Sequence, residues 1–145
     1  MTKTEIKFRK YFDLFLTKVV NSFKFSSLKE EHKECAKFVV FLKQATMQDK
    51  LIPVWFHPCN EVSNGNQWAF GSLLKVIGKI NGVADYVFLW DKGSGCIEFK
   101  AKGKGLNENQ KLFKQWCSEK EVPYFEVFTC DEAIVILKDW GILSE

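Results

Sequence analysis

Residues 83 to 101 do most to narrow what this chain can fold into. Val83 to Trp90 is an apolar run rich in β-branched and aromatic side chains. It ends on Asp91-Lys92-Gly93-Ser94-Gly95, and Cys96 to Ala101 returns from that turn. Two strand-forming runs around a Gly-containing turn predict a hairpin. Side chains alternate along a strand, so Glu98 and Lys100 project from one face while Ile97 and Phe99 project from the other. Apolar runs on both arms point to a sheet covered on both faces, where charge must be paired or bound to metal. Centring the turn near Gly93 places Asp85 opposite residues 99 to 101. A register that puts Asp85 on the Glu98/Lys100 face brings two carboxylates and one amine together at the open end of the hairpin, and a one-residue slip would undo this. Two carboxylates with one backbone carbonyl suit a hard divalent cation such as Mg²⁺. A lysine beside a metal-bound water can orient it and stabilise charge developing on phosphorus. The plainer meaning of three charges on a strand pair is a wet sheet face.

Around this hairpin the periodicity predicts helices and short strands in turn. Residues 4 to 22 read as an amphipathic helix, with Phe8, Tyr11, Phe12, Phe15, Leu16, Val19 and Phe23 at three- and four-residue spacing and lysines on the other side. Ser27-Leu28-Lys29-Glu30 has the form of a capping box opening a second helix that runs to about Met47, with Cys35, Phe38, Val39, Leu42 and Ala45 as its buried stripe. Glu31 lies at the N-terminal end of that stripe. It can be read as a core-side carboxylate or as the usual first-turn acid. Ile52 to His57 reads as a strand, Pro58 to Asn66 as a polar loop, and Gln67 to Ile77 as a helix closed by Gly78. After a Gly/Lys loop at residues 102 to 105, Asn107 to Lys120 reads as a helix with Leu112, Phe113 and Trp116 on one face. Pro123 to Phe128 is a further strand, and the Thr129-to-Glu132 capping box opens a last helix to about Trp140. The order predicts an α/β fold: a mixed sheet flanked by helices, preceded by an extra helix.

Length and charge set the outer bounds. At 145 residues the chain holds one domain with an adequate core. No stretch approaches the ~18 uninterrupted apolar residues of a spanning helix, and the first residues lack a signal peptide's apolar region, so neither a membrane nor a secreted protein is expected. The five cysteines are scattered with no CxxC pair, which predicts reduced thiols of a cytoplasmic chain. Residues 1 to 28 carry six basic groups against two acidic ones, and the remaining 117 carry fifteen against sixteen. The basic leader is an electrostatic footprint for nucleic acid or the solvated side of a helix. Arg9 is the sole arginine, so nucleic acid would be held by its backbone, not read at its bases.

The ordered motifs carry a resemblance. Gly82-Val83-Ala84-Asp85 followed by Ile97-Glu98-Phe99-Lys100 resembles the PD-(D/E)XK nuclease motif. Its surroundings resemble the virus-type replication–repair nuclease (VRR-NUC) domains: Glu31-His32 on a helix, His57-Pro58-Cys59-Asn60, Gly78 to Gly82 to Asp85, Lys102-Gly103-Lys104-Gly105, then Gln110 at a helix start. Ala84 stands where that family prefers proline, and Cys35 where many members have glutamine.

The resemblance covers roughly residues 29 to 140, which implies a nuclease domain over 29 to 145 with 1 to 28 as a basic extension. It implies a restriction-endonuclease-like fold and a Mg²⁺- or Mn²⁺-dependent DNA endonuclease. Asp85, Glu98 and the Phe99 carbonyl would hold the metal, with Glu31 assisting, and Lys100 would position the attacking water. Gln110 would stand beside that lysine, although Asn107-x-x-Gln110 is equally a capping box. Lys102, Lys104 and Asn60 would meet DNA, where the alternative is solvated loop residues. A homodimeric junction resolvase is the implied activity, with a flap or nicking nuclease, or an idle DNA-binding module, as alternatives. His57 and His32 read as structural or phosphate-facing.

Overall fold

Strand pairing follows the apolar runs, and the helices follow their caps. The computed structural model describes Lys10, Tyr11 and residues 27–58 and 68–145. In chain order its elements are helix α1 (Glu30–Met47), strand β1 (Val54–Phe56), helix α2 (Trp68–Val76), strands β2 (Tyr86–Trp90) and β3 (Gly93–Phe99), helix α3 (Glu108–Glu119), strand β4 (Tyr124–Val127) and helix α4 (Cys130–Asp139). The expected N-terminal helix lies almost wholly outside the described residues, as does Asn60. Among those described, no helix is long and apolar enough to cross a membrane.

The chain divides into two units, Met1–Ile52 with Thr129–Glu145, and Pro53–Phe128. The second holds a four-stranded mixed sheet of order β1-β2-β3-β4. β1 and β3 run antiparallel to β2, whereas β4 runs parallel to β3. The parallel step requires a crossover, and α3 supplies it. β3 is central, and its last five residues, Gly95 to Phe99, are all buried. This is the burial expected of a strand covered on both faces.

The hairpin turn is tighter than the sequence suggests. Trp90 pairs with Gly93 and Tyr86 with Ile97. The loop is therefore Asp91-Lys92 alone, and Gly93 to Gly95 belong to β3. Continued one step, this register sets Asp85 abreast of Glu98, not of residues 99 to 101. Directly opposed residues share a face, so the two carboxylates lie on the same side of the sheet.

That side also receives α3. Ala84, Cys96 and Cys117 form a buried cluster, packed against Val87, Phe113, Val122 and Tyr124. The buried stripe of α3 is thus Phe113 and Cys117, one turn apart. Leu112 and Trp116, expected on the core face, are exposed. Packing against Cys96 turns inward the stripe that holds Phe113 and the small thiol of Cys117, in place of the single face expected for Leu112, Phe113 and Trp116. Burial raises the Cys96 thiol to about 12, with the neighbouring Cys117 adding to the effect. None of the four described cysteines, Cys35, Cys96, Cys117 and Cys130, is in a disulfide.

In the first unit, α1 buries Phe38, Leu42 and Ala45. Its N-cap is Lys29, with no side-chain cap bond, so the Ser27-to-Glu30 capping box does not form. Acidic Glu30 and Glu31 in the first turn offset the helix dipole instead. Glu34 pairs with Lys37 and accepts a hydrogen bond of 2.8 Å from the Cys130 N–H at the start of α4. Both contacts hold its carboxyl below the usual range, the Lys37 bond foremost. Thr129 caps α4, accepting from the Glu132 N–H at 3.2 Å. Leu51 bridges to Leu143, and the Ile52 N–H donates to the Ile142 carbonyl at 3.0 Å, tying the two ends of this unit together.

Candidate active site

Four of the residues singled out from sequence meet on one face of the sheet. Asp85 stands just ahead of β2, Glu98 near the end of β3, Lys100 directly after it, and Gln110 in the first turn of α3. The two acids are laced through main-chain amides. The Asp85 N–H donates to Glu98 Oε2 at 3.0 Å, and the Phe99 N–H donates to Asp85 Oδ2 at 2.8 Å. Each carboxylate is thus held by the backbone of the other strand, which fixes their separation more firmly than side-chain contacts alone could.

Glu98 Oε1 is shared by two donors. Lys100 Nζ lies 3.1 Å from it, and Gln110 Nε2 donates to it. Gln110 Oε1 in turn accepts from Lys100 Nζ at 2.7 Å and from the Asn107 N–H at 3.0 Å. The Gln110 N–H donates to Asn107 Oδ1 at 2.9 Å, completing a reciprocal capping box. The two readings of Gln110 are therefore not rivals. One amide caps the helix and orients the lysine, because the helix begins beside Glu98.

Electrostatics set this cluster apart from a solvated sheet face. Glu98 is only 2% exposed, and among the described residues it is the one buried charged side chain. Burial, and then the Asp85 carboxylate, push its carboxyl up to about 7, against the Lys100 ammonium and the Asp85 N–H, which pull it down. Two neighbouring acids are the kind of donor pair a hard cation takes, and Mg²⁺ characteristically takes one or two carboxylates and completes its shell with water and phosphate. Among the described residues no group of three or more His, Cys, Asp and Glu could hold a metal ion. Glu31 lies in the first unit, where its carboxylate is 3.7 Å from His32 Nε2. Lys102 and Lys104 are exposed on the loop after β3, turned about Gly103 at φ 78°.

Three further residues shape the site without having been assigned to it. Gly82 has φ 83°, and a Cβ there would meet the Asn109 carbonyl carbon at 2.4 Å and the Gln110 nitrogen at 2.7 Å. Only glycine lets the chain pass so close to the first turn of α3. Tyr124, paired with Cys96, places a buried hydroxyl, with no hydrogen-bond partner among the described residues, on the same side of the sheet. Burial raises that hydroxyl's proton affinity, and Glu98, Glu126 and Asp85 add to it. His57, which follows β1, contacts the Asp85 carbonyl through Nδ1. A glycine three residues before an acid was a visible signal, but nothing local marked Tyr124.

No known family's sequence profile, curated protein or solved structure matches the chain.

Proposed function

We propose that this protein is a divalent-metal-dependent DNA endonuclease with a restriction-endonuclease-like core, acting in the cytoplasm as a homodimer on branched DNA. One observation carries the reading. A buried glutamate and an aspartate share main-chain clamps, while a lysine and a glutamine converge on one oxygen of that glutamate. A structural ion pair would need one acid and one base. The second acid leaves more negative charge than Lys100 offsets, which raises the proton affinity of the buried Glu98 and would be relieved by a bound cation.

The donor set fits Mg²⁺ or Mn²⁺ on Asp85, Glu98 and the Phe99 carbonyl. Bound there, the metal would supply Lewis-acid activation of a phosphoryl oxygen and of the attacking water. Lys100 Nζ, held by Gln110 Oε1, orients that water and offsets the negative charge that builds on phosphorus. Gln110 keeps Lys100 at the mouth of the site while holding Glu98 Oε1 from the other side. Lys102 and Lys104 bind backbone phosphates, which accords with a chain that has a single arginine.

The test is incubation of the full chain with four-way junctions, flaps, nicked and linear duplexes, with Mg²⁺ or Mn²⁺ and with chelator. Metal-dependent cleavage is expected, strongest on the branched substrates. Lys100→Ala should lower the rate by about 10²–10³-fold with metal binding retained, and Asp85→Ala should remove both. Cleavage at the wild-type rate in Lys100→Ala, or any metal-dependent cleavage in Asp85→Ala, overturns the site. DNA binding with neither cleavage nor carboxylate-dependent metal binding would mark an idle binding module instead.

A further inference from the structure

The geometry points to His57 as a positioning residue, a side-chain latch that holds the main chain of Asp85 and so sets the direction of its carboxylate. The argument begins with strand pairing. β1 and β2 pair Val54 with Leu89, Trp55 with Phe88 and Phe56 with Val87, and there the ladder stops. Continued by two residues, the register would bring Pro58 abreast of Asp85. Proline has no N–H to give, so the main chain of this strand offers no donor at the level where the site begins.

The preceding side chain supplies one. His57 Nδ1 is in hydrogen-bond contact with the Asp85 carbonyl oxygen. A carbonyl can only accept, so Nδ1 carries the proton. The ring is steadied from the other side by Tyr86, at 5.4 Å between centroids and 46° between planes. Tyr86 in turn meets Phe99 edge-on at 5.8 Å. Tyr86 and Phe99 are both 2% exposed, whereas His57 itself is exposed. A solvent-exposed imidazole is thus braced on a buried aromatic pair and reaches back to one main-chain oxygen.

Asp85 is then held at three points. Its carbonyl accepts from His57, its N–H donates to Glu98 Oε2 at 3.0 Å, and its Oδ2 accepts from the Phe99 N–H at 2.8 Å. The first is the one bond of the three that comes from outside the β2–β3 hairpin. It restrains the Asp85 carbonyl from the β1 side, so its loss loosens the strand end and the aim of the carboxylate. Outer partners of this kind govern how well a ligating acid is aimed. The latch itself is a statement about Asp85, and its consequence for metal binding and cleavage rests on the nuclease reading above.

Three substitutions in the full chain test it. His57→Asn keeps an N–H where Nδ1 stands, His57→Gln moves it to the place of Nε2, and His57→Phe keeps a ring on Tyr86 with no donor. Amide hydrogen exchange at Phe99 and Asp85 reports on the carboxylate clamps without any metal. His57→Phe should speed both amides about tenfold while the amides of α3 keep their protection, and His57→Asn, but not His57→Gln, should restore the slow exchange. Mn²⁺ affinity and kcat on cleaved DNA should follow the same order, falling by about 10-fold in His57→Phe, with KM for DNA unchanged. Wild-type exchange in His57→Phe overturns the latch, as does equal exchange in His57→Asn and His57→Phe. A wild-type chain that neither binds Mn²⁺ nor cuts DNA overturns the nuclease reading, and the exchange order still decides the latch.

Discussion

Glu98 concentrates the physical tension of the site in a single carboxyl. Its folded-state value of about 7 lies above the 4.5 of an unperturbed glutamate because burial and Asp85 both disfavour the ion. The folded protein therefore binds a proton that the unfolded chain releases between those values. The stability this group contributes is present in full below about pH 4.5 and is lost as pH rises through about 7. Thermal unfolding of the metal-free protein should show this as a stronger decline between pH 5 and 8 than in Glu98→Gln, whose side chain does not titrate. Mn²⁺ should offset the decline and stabilise most at the alkaline end, where it no longer competes with a proton. Equal pH slopes for the two proteins would show that Glu98 does not titrate in this range. The residue identities behind this tension were legible in the sequence. The degree of burial was not, because an alternating Glu-Phe-Lys strand reads equally as a wet face until both sheet faces are known to be covered.

At the scale of elements, the start of α3 is where helix stability and site geometry become one problem. Asn107 caps the helix through the Gln110 N–H, and an Asn-to-Ala change at such a cap costs about 1 kcal/mol. Asn107→Ala should lower the unfolding free energy by that amount and also reduce cleavage, whereas Asn107→Asp should keep the cap and restore stability. Gly82 constrains the same turn from outside. Gly82→Ala faces both a positive φ and backbone atoms inside van der Waals contact, so the loss should exceed 1 kcal/mol. Because backbone must move, Gln110 should move with it: slowed cleavage in the folded fraction is expected, measured against the unfolding midpoint. The Asn-x-x-Gln box could be read from spacing alone, as could the crossover helix it opens. The close approach of Gly82 could not, since it joins residues separated by an entire hairpin. The same limit explains the misplaced stripe of α3, whose inward face was decided by the neighbour Cys96.

The molecule as a whole brings together stretches distant in sequence. The first unit is built from both ends of the chain, with Leu51 bridged to Leu143 and Ile142 only 2% exposed. Ile142→Ala should therefore cost about 2–4 kcal/mol, as for other fully buried aliphatic truncations. Chemical denaturation checks this, and a change below 1 kcal/mol would show that the C-terminal stretch does not hold the unit. A resolvase also needs two cuts, so the chain should sediment as a dimer when bound to a four-way junction. Paired cuts by a monomer would remove that part of the proposal.

By itself the sequence determined which stretches pair as a hairpin, where two of the later helices are capped, and that Glu98 and Lys100 would share a strand face. These are local matters, governed by alternation, spacing and turn chemistry within a few residues. Only the tertiary structure decided that the turn takes two residues, and hence that Asp85 faces Glu98 directly. It also decided that Gln110 serves cap and lysine together, and that a histidine after β1 reaches the Asp85 carbonyl. Each of these depends on register or on contact between separate elements, where a shift of one residue or a few tenths of an ångström changes the partner, and no local pattern encodes such distances.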